Sequence, residues 1–279
     1  MANILISDFT LEEVPHGGSE VGNQMLIEHL GLDFIKSAEV TEFNKKDFYV
    51  ICNISLMNPN LVKEIKNYNY IIFECDYKIC PSRHPWRFPK SLIPPQFRIN
   101  YDLYENAKAV FVKTTDHENV YKLNDVKANF INLRTNIWSP KDLELLETIN
   151  NDTPNKINKS CIYNTDNWIK NTKGSIKYCE ENNIPYGFVF NGQDREVFLR
   201  EMAKYKNLVF FPIARETFCR IVMEAKCMGM EVITNKNYGC TLEDYFNLKG
   251  SELINYLRYY NNINLNKMKK YIPQYDNAF

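Results

Sequence analysis

The sequence lacks any excess of one charge: 34 Lys and Arg stand against 34 Asp and Glu in 279 residues, a formal net charge of +0. A protein that coats DNA through its phosphates carries a basic surplus, so that class is disfavoured, although a local basic groove is compatible with neutrality. Nowhere does an apolar run approach the roughly 18 residues that a bilayer span needs. No leader pattern is visible either. Ile4-Leu5-Ile6 is short, with no charged segment before it and no small-residue cleavage site after it. The eight cysteines form no C-x-x-C pair, and Cys75 and Cys80 lack zinc-type spacing. Most lie in apolar segments, as at Cys52, Cys161, Cys219 and Cys227, the pattern of reduced, buried thiols. A soluble, cytoplasmic protein is the expectation.

What is present fits a folded enzyme-sized chain. Hydrophobic residues at 44% and charged residues at 24% are too apolar for disorder and ordinary for a globular protein. The length suggests one large or two small domains. Aromatics reach 14%, with 18 Tyr, and Asn is abundant. Tyr and Asn supply the hydrogen bonds and stacking faces that sugars and bases use.

Along the first half, short β-type runs alternate with helical segments. Ile4-Leu5-Ile6-Ser7 leads to a helical pattern over Ser19–Leu30, and Phe48–Cys52 leads to Asn58-Pro59, an N-cap and first-turn pair. Strands at Tyr70–Phe73, Ala109–Lys113 and near Phe130–Leu133 follow, with a helix over Thr115–Lys122. Ser139-Pro140 and the polar tract Asn150–Asn155 read as a connector. Beyond it the alternation restarts with strands at Cys161–Asn164, Tyr186–Phe190, Leu208–Pro212 and Glu231–Thr234. Helices are expected over Gly174–Asn182, Arg195–Tyr205, Phe218–Met228, Ser251–Asn262 and Leu265–Tyr271. The pattern predicts parallel sheets with helices on both faces, in two Rossmann-like α/β domains. Residues 1–150 form the first, 154–264 the second, and 265–279 a terminal helix returning to the first.

The sharpest local signal is Val209–Thr234: a strand, an acidic loop, a helix, a glycine stop and another strand. Glu216 falls where a strand has just ended. Glu224 lies eight positions on, within the helix, and Gly229 takes a C′-like position. Two carboxylates presented in this way can accept hydrogen bonds from vicinal hydroxyls, which sugars and ribose supply. A solvated acidic loop followed by a buried helix Glu is the plainer account of the same spacing.

With its flanks, this segment resembles the E-x7-E signature of retaining glycosyltransferases of family 4, which have the two-domain GT-B fold. Glu224-Ala225-Lys226 and Gly229-Met230-Glu231-Val232-Ile233 are similar to that family's E-A-M-A-x-G-x-P-V-V. The resemblance implies that Glu216 lies near the donor sugar and that Glu224 binds the ribose, with Thr217 and Phe218 beside them. His16-Gly17-Gly18-Ser19-Glu20 resembles the family's G-G-A-E, implying that Gly17 and Gly18 bring backbone N–H groups to a diphosphate or acceptor. Trp168–Gly174 is similar to the family's R-x4-K-G phosphate clamp, with Lys173-Gly174 matching and Trp168 in the Arg position. Lys170 and Arg220 are the candidates for the missing charge.

Glu74-Cys75-Asp76 ends a strand. Asp76 matches an acidic position near the family's acceptor, with Cys75 in place of an imidazole. Two carboxylates at i and i+2 point to one face of a strand and could instead share a divalent cation, as in metal-dependent GT-A enzymes. No D-x-D occurs, and ordinary strand-end charges account for the pair equally. Arg83, His84 and Arg87, among prolines and beside Trp86, form a basic and aromatic loop that lines an acceptor site or a folded surface.

The resemblance therefore implies transfer of a sugar from a nucleotide-sugar, such as a UDP- or GDP-sugar, to a glycan or lipid-linked saccharide. It implies retention, no metal and no other cofactor, with Glu216, Lys173 and Asp76 in catalysis. A phage-type enzyme acting on hydroxymethylated cytosine in DNA is the alternative, motivated by the small size and the Asn-, Lys- and Tyr-rich composition. A non-catalytic sugar-nucleotide-binding protein is the third reading, motivated by Trp168.

Overall fold

Strands that are apolar on successive residues must be covered on both faces, and the first half of the chain is built that way. In the computed structural model, which describes residues 1–14, 17–190, 194–235 and 237–274, the chain divides into two units. The first comprises Met1–Ile137 and the residues from Tyr260 onward, and the second comprises Trp138–Tyr259.

In chain order the first unit contains β1 (Asn3–Ser7), α1 (Gly18–Leu30), β2 (Asp33–Lys36), β3 (Phe48–Ile51), α2 (Pro59–Glu64), β4 (Asn69–Phe73), α3 (Tyr101–Glu105), β5 (Val110–Val112), α4 (Thr115–Leu123) and β6 (Phe130–Asn132). The strands form one parallel sheet in the order β2-β1-β3-β4-β5-β6. Its residues alternate strictly between two cores. Tyr49, Ile51, Tyr70, Ile72, Val110 and Val112 face one. Phe48, Val50, Ile71, Phe73, Ala109 and Phe111 face the other. The order reverses between β1 and β3, so the crevice at the carboxyl ends of those strands is where this topology accepts ligands.

The second unit opens with α5 (Pro140–Asp152) and continues through β7 (Ile157–Asn164), α6 (Thr172–Glu181), β8 (Tyr186–Phe190), α7 (Arg195–Ala203), β9 (Tyr205–Phe210), α8 (Arg220–Cys227), β10 (Glu231–Thr234) and α9 (Gly250–Lys269). Its parallel sheet runs β10-β9-β7-β8, with the reversal between β7 and β9. Cys161, Leu208 and Phe210 face the core shared with α5, α7 and α8, while Ile162 and Val209 face the α6 side.

Three expectations change. The division falls at residues 137 and 138, not near 150, because the supposed connector is mostly helix. Ser139 caps α5 by accepting from the Asp142 N–H at 3.4 Å, Pro140 starts the first turn, and Leu143, Leu146 and Ile149 pack into the second core. The terminal helices expected over Ser251–Asn262 and Leu265–Tyr271 are one continuous α9 of 20 residues. Its Leu253, Ile254 and Leu257 belong to the core of the second unit, and its Leu265 and Met268 to that of the first. Residues 275–279 of the expected terminal segment lie outside the described residues, as does His16. Finally, β2 and α3 were not anticipated, being short and only partly apolar.

Candidate functional site

The loops after β7 and β9 leave adjacent strands at the point where the second sheet reverses its order, so their residues must converge. They do. Ile213 N–H donates to the Ile169 carbonyl at 2.9 Å, and the Asn171 side chain donates to the Phe211 carbonyl at 2.8 Å. Lys170 Nζ then reaches Glu216 Oε1 at 2.7 Å, across 46 positions of sequence. Both side chains are partly exposed, Glu216 at 19% and Lys170 at 27%, so the pair borders solvent. Burial would lower the Lys170 ammonium, but Glu216 outweighs it and holds the lysine protonated, above its ordinary value.

The Glu216 backbone is clipped in place from the other side. Its N–H donates to the Asn237 carbonyl and its carbonyl accepts from the Gly239 N–H, each at 2.9 Å, in a parallel bridge opposite Tyr238. Asn235 and Asn237 both donate to the Pro212 carbonyl, at 2.9 and 3.2 Å. Cys219, the N-cap of α8, has φ 81°, a left-handed conformation that costs a non-glycine residue strain. The chain between Glu216 and α8 is thus tightly constrained.

Glu224 lies in α8 and is 4% exposed. Its Oε1 accepts from Arg195 Nη2 at 2.8 Å and from Arg220 Nε at 3.2 Å. Asp142 closes the network, accepting from Arg195 at 3.3 Å and from Arg220 at 2.7 Å. The Arg220 guanidinium also lies 4.3 Å from the ring centroid of Trp138. Burial pushes the Glu224 carboxyl up, but Arg195 and Arg220 outweigh it and hold it below the ordinary 4.5. Asp142 and Arg195 carry no motif of their own. Their sequence signal is only that Asp142 falls three residues after a Ser-Pro helix start.

Other anticipated residues fall into clear places. Arg220 is committed to Asp142, Glu224 and Trp138, and its Nη1 is enclosed without a partner, so it is not the loose cation expected for the clamp. Phe218 packs into the core, 6.2 Å from Trp138, and its ring is turned away from solvent. Thr217 is buried beside it. Lys173 is exposed in the first turn of α6. Gly174 has a steric reason: a Cβ there would lie 2.2 Å from Asn171 Nδ2, the side chain whose oxygen caps α6 by accepting from Gly174 N–H. Trp168, in the Arg position, is 55% exposed.

On the first unit, Glu74 is wholly buried. Lys78 pairs with it, Tyr104 donates to it at 2.6 Å, and the Cys75 and Asp76 N–H groups donate at 3.0 and 3.2 Å. With its oxygens so engaged, Glu74 does not face Asp76 as a shared cation site, and the GT-A reading loses its ligand pair. Asp76 binds Arg83 at 2.8 Å and Lys78 at 3.4 Å. His84 lies 5.6 Å from Trp86, and burial, with Arg87 second, lowers its imidazole below the ordinary value. Gly17 is the N-cap of α1, and Gly18 its first residue.

Comparison with solved structures matches this architecture over nearly the whole chain. Trehalose-6-phosphate synthase from E. coli, bound with UDP-2-fluoro glucose, is 7% identical, with a TM-score of 0.58 over 98% of this chain and 100% of that one. Anabaena HepE in complex with UDP is 13% identical, with a TM-score of 0.51 over 97% and 92%. Sucrose-phosphate synthase from Thermosynechococcus elongatus is 12% identical, with a TM-score of 0.50 over 84% and 81%. The fold is GT-B. No protein-family model matches the chain, and no curated protein matches its sequence. The GT-B assignment therefore rests on backbone architecture, and identities this low carry nothing about which residues act.

Proposed function

We propose that this chain is a glycosyltransferase that moves a sugar from a nucleotide-sugar to a saccharide acceptor, a glycan or a lipid-linked sugar, with retention and without a metal. The observation that carries the reading is the Lys170–Glu216 pair at the reversal point of a GT-B second sheet, with the fixed carboxylate of Glu224 on the helix that follows Glu216. UDP is the nucleotide to test first, since two of the structures similar to this one hold it or a UDP-sugar.

The chemistry asked of the residues is electrostatic. As the bond from the anomeric carbon to the diphosphate breaks, negative charge gathers on the leaving oxygen and positive charge on the sugar. Lys170 and Lys173 stabilise the first, and Glu216 accepts from the sugar hydroxyls. Attack from the same face lets the leaving phosphate oxygen take the acceptor proton, which preserves the configuration and needs no separate base. Glu224 grips the ribose through the oxygen that Arg195 and Arg220 do not occupy. On the first unit, Asp76 with Arg83 and His84 orients the acceptor. A reducing, cytoplasmic setting is supported by eight cysteines that are all buried and unpaired.

A calorimetric screen of UDP- and GDP-sugars, followed by product analysis on those that bind, tests this. One donor is expected to bind, and to be hydrolysed slowly without an acceptor. Binding without any turnover would make the chain a sugar-nucleotide-binding protein, and no binding at all would remove the reading.

A further inference from the structure

In the doubly wound fold, two strands stand beyond the first on one side of the reversal, in the order 3-2-1-4-5-6. The second sheet stops one short. Beyond β7 on that side stands β8, and among the described residues no strand pairs with its outer edge. β8 is regular, paired with β7 in unbroken register from Ser160 opposite Tyr186 to Asn164 opposite Phe190. The Pro185 carbonyl accepts from the Ser160 N–H at 2.9 Å, so the odd-numbered residues turn their backbone groups to β7. By alternation, Tyr186, Phe188 and Phe190 turn theirs to the open side.

Sheet edges invite pairing with another chain, and folded proteins blunt them with charges, proline, bulges or brevity. Among the described residues the other three edges are blunted. β2 begins with Asp33 and ends with Lys36, β6 is three residues long, and β10 begins with Glu231, which pairs with Lys249. β8 has none of these devices, and Pro185 before it faces β7 and leaves the outer side unblocked. No charged residue lies between Glu181 and Asp194. Val189 packs into the core, and Gly187 lies against Tyr205, where a Cβ would meet the hydroxyl at 2.4 Å. Tyr186, Phe188 and Phe190 share the opposite face in a row, with ring centroids 5.6 and 6.2 Å apart. Phe188 is 38% exposed and Phe190 50%.

This strand is its own complement. Turned about a two-fold axis at Phe188, it lies antiparallel to itself: Phe188 meets Phe188 of a second copy, and Tyr186 meets Phe190. Each outward N–H then finds a carbonyl on the other copy, and the aromatic side chains form cross-strand pairs on one face. Being uncharged, the strand brings no like charges together across the axis.

We propose that β8 is an interface between two copies of this chain, which pair antiparallel about Phe188 and join their second sheets into one. Such a contact uses the same patch on both copies, so it closes at two. It does not depend on the reaction proposed above.

Sedimentation of the full chain from about 1 to about 200 µM tests this, a range suited to an interface of one strand a side. A monomer–dimer equilibrium is expected. Phe188→Lys sets two ammonium groups face to face on the axis and should weaken the dimer at least about tenfold. Phe190→Lys, at the more exposed ring, is the second variant and should also weaken it. Phe188→Cys checks the register. Cα atoms opposed in such a pair lie about 5.5 Å apart, within disulfide reach. The eight native thiols are all buried, so mild oxidation should link this variant into a dimer and leave the parent unlinked. A parent that stays monomeric over the whole range, or association that grows past two, overturns the proposal. So does a dimer that both lysine variants leave intact, or a Phe188→Cys dimer that oxidation does not link.

Discussion

Lys170 Nζ and Glu216 Oε1 meet at 2.7 Å although 46 residues separate them, because each stands on the first loop beyond one of two adjacent strands, β7 and β9. Glu224, eight positions from Glu216, is held by a different set of partners: Arg195, Arg220 and, through them, Asp142. The two carboxylates that look alike in sequence therefore sit in unlike environments.

Their removal should differ accordingly. Glu216→Gln touches a solvent-bordering pair, so it is expected to lower kcat with little change in Tm. Glu224→Gln leaves two guanidiniums short of a buried counter-charge, and breaking such a pair costs about 3–5 kcal/mol. It should melt several degrees lower and bind donor more weakly. Thermal melts alongside steady-state kinetics on both variants check this, and equal Tm losses would contradict it.

Acid should expose the same network. The Glu224 carboxyl is held below its ordinary 4.5 in the folded chain, so its contribution is complete above that value and is lost as pH falls through the lower, folded one. The Tm gap between the parent and Glu224→Gln is therefore expected to be widest near neutrality and to close in acid below about 4.5. A gap that stays constant from pH 7 to pH 3 would assign the effect to packing.

Gly174 gives a steric test of the clamp segment. Gly174→Ala places a methyl where Asn171 Nδ2 now lies, which should displace the α6 cap. Loss of an N-cap costs about 0.5–2 kcal/mol, and Asn171→Ala should reproduce that loss. If the glycine serves a phosphate instead, Gly174→Ala will weaken UDP binding while Asn171→Ala will not.

Chelation tests the metal-independent chemistry. Lys78 and Tyr104 occupy Glu74, and the proposed transfer uses lysine charge at the diphosphate. Turnover is expected to be unchanged in EDTA. Loss of turnover that Mn²⁺ restores would require a metal-assisted route.

Local pattern alone sets out the two α/β halves and most of their strands, since runs apolar on successive residues, buried on both faces, leave few alternatives to a parallel sheet. It also determined Gly229 as a helix stop, and there the backbone has φ 73°. The two carboxylates eight positions apart, one in a loop and one in a helix, were legible as Glu216 and Glu224. Local pattern misled at 139–152, where polar Asn and Asp residues at the end of α5 resemble a linker, although Leu143, Leu146 and Ile149 pack into the core. What only the tertiary structure decided was pairing. Nothing near Arg220 in the chain says that Asp142, 78 residues away, will hold it, or that Trp138 will lie beneath it. Likewise, the burial of Lys113 beside Phe73 follows from how β4 and β5 pair in the sheet, which no local periodicity encodes.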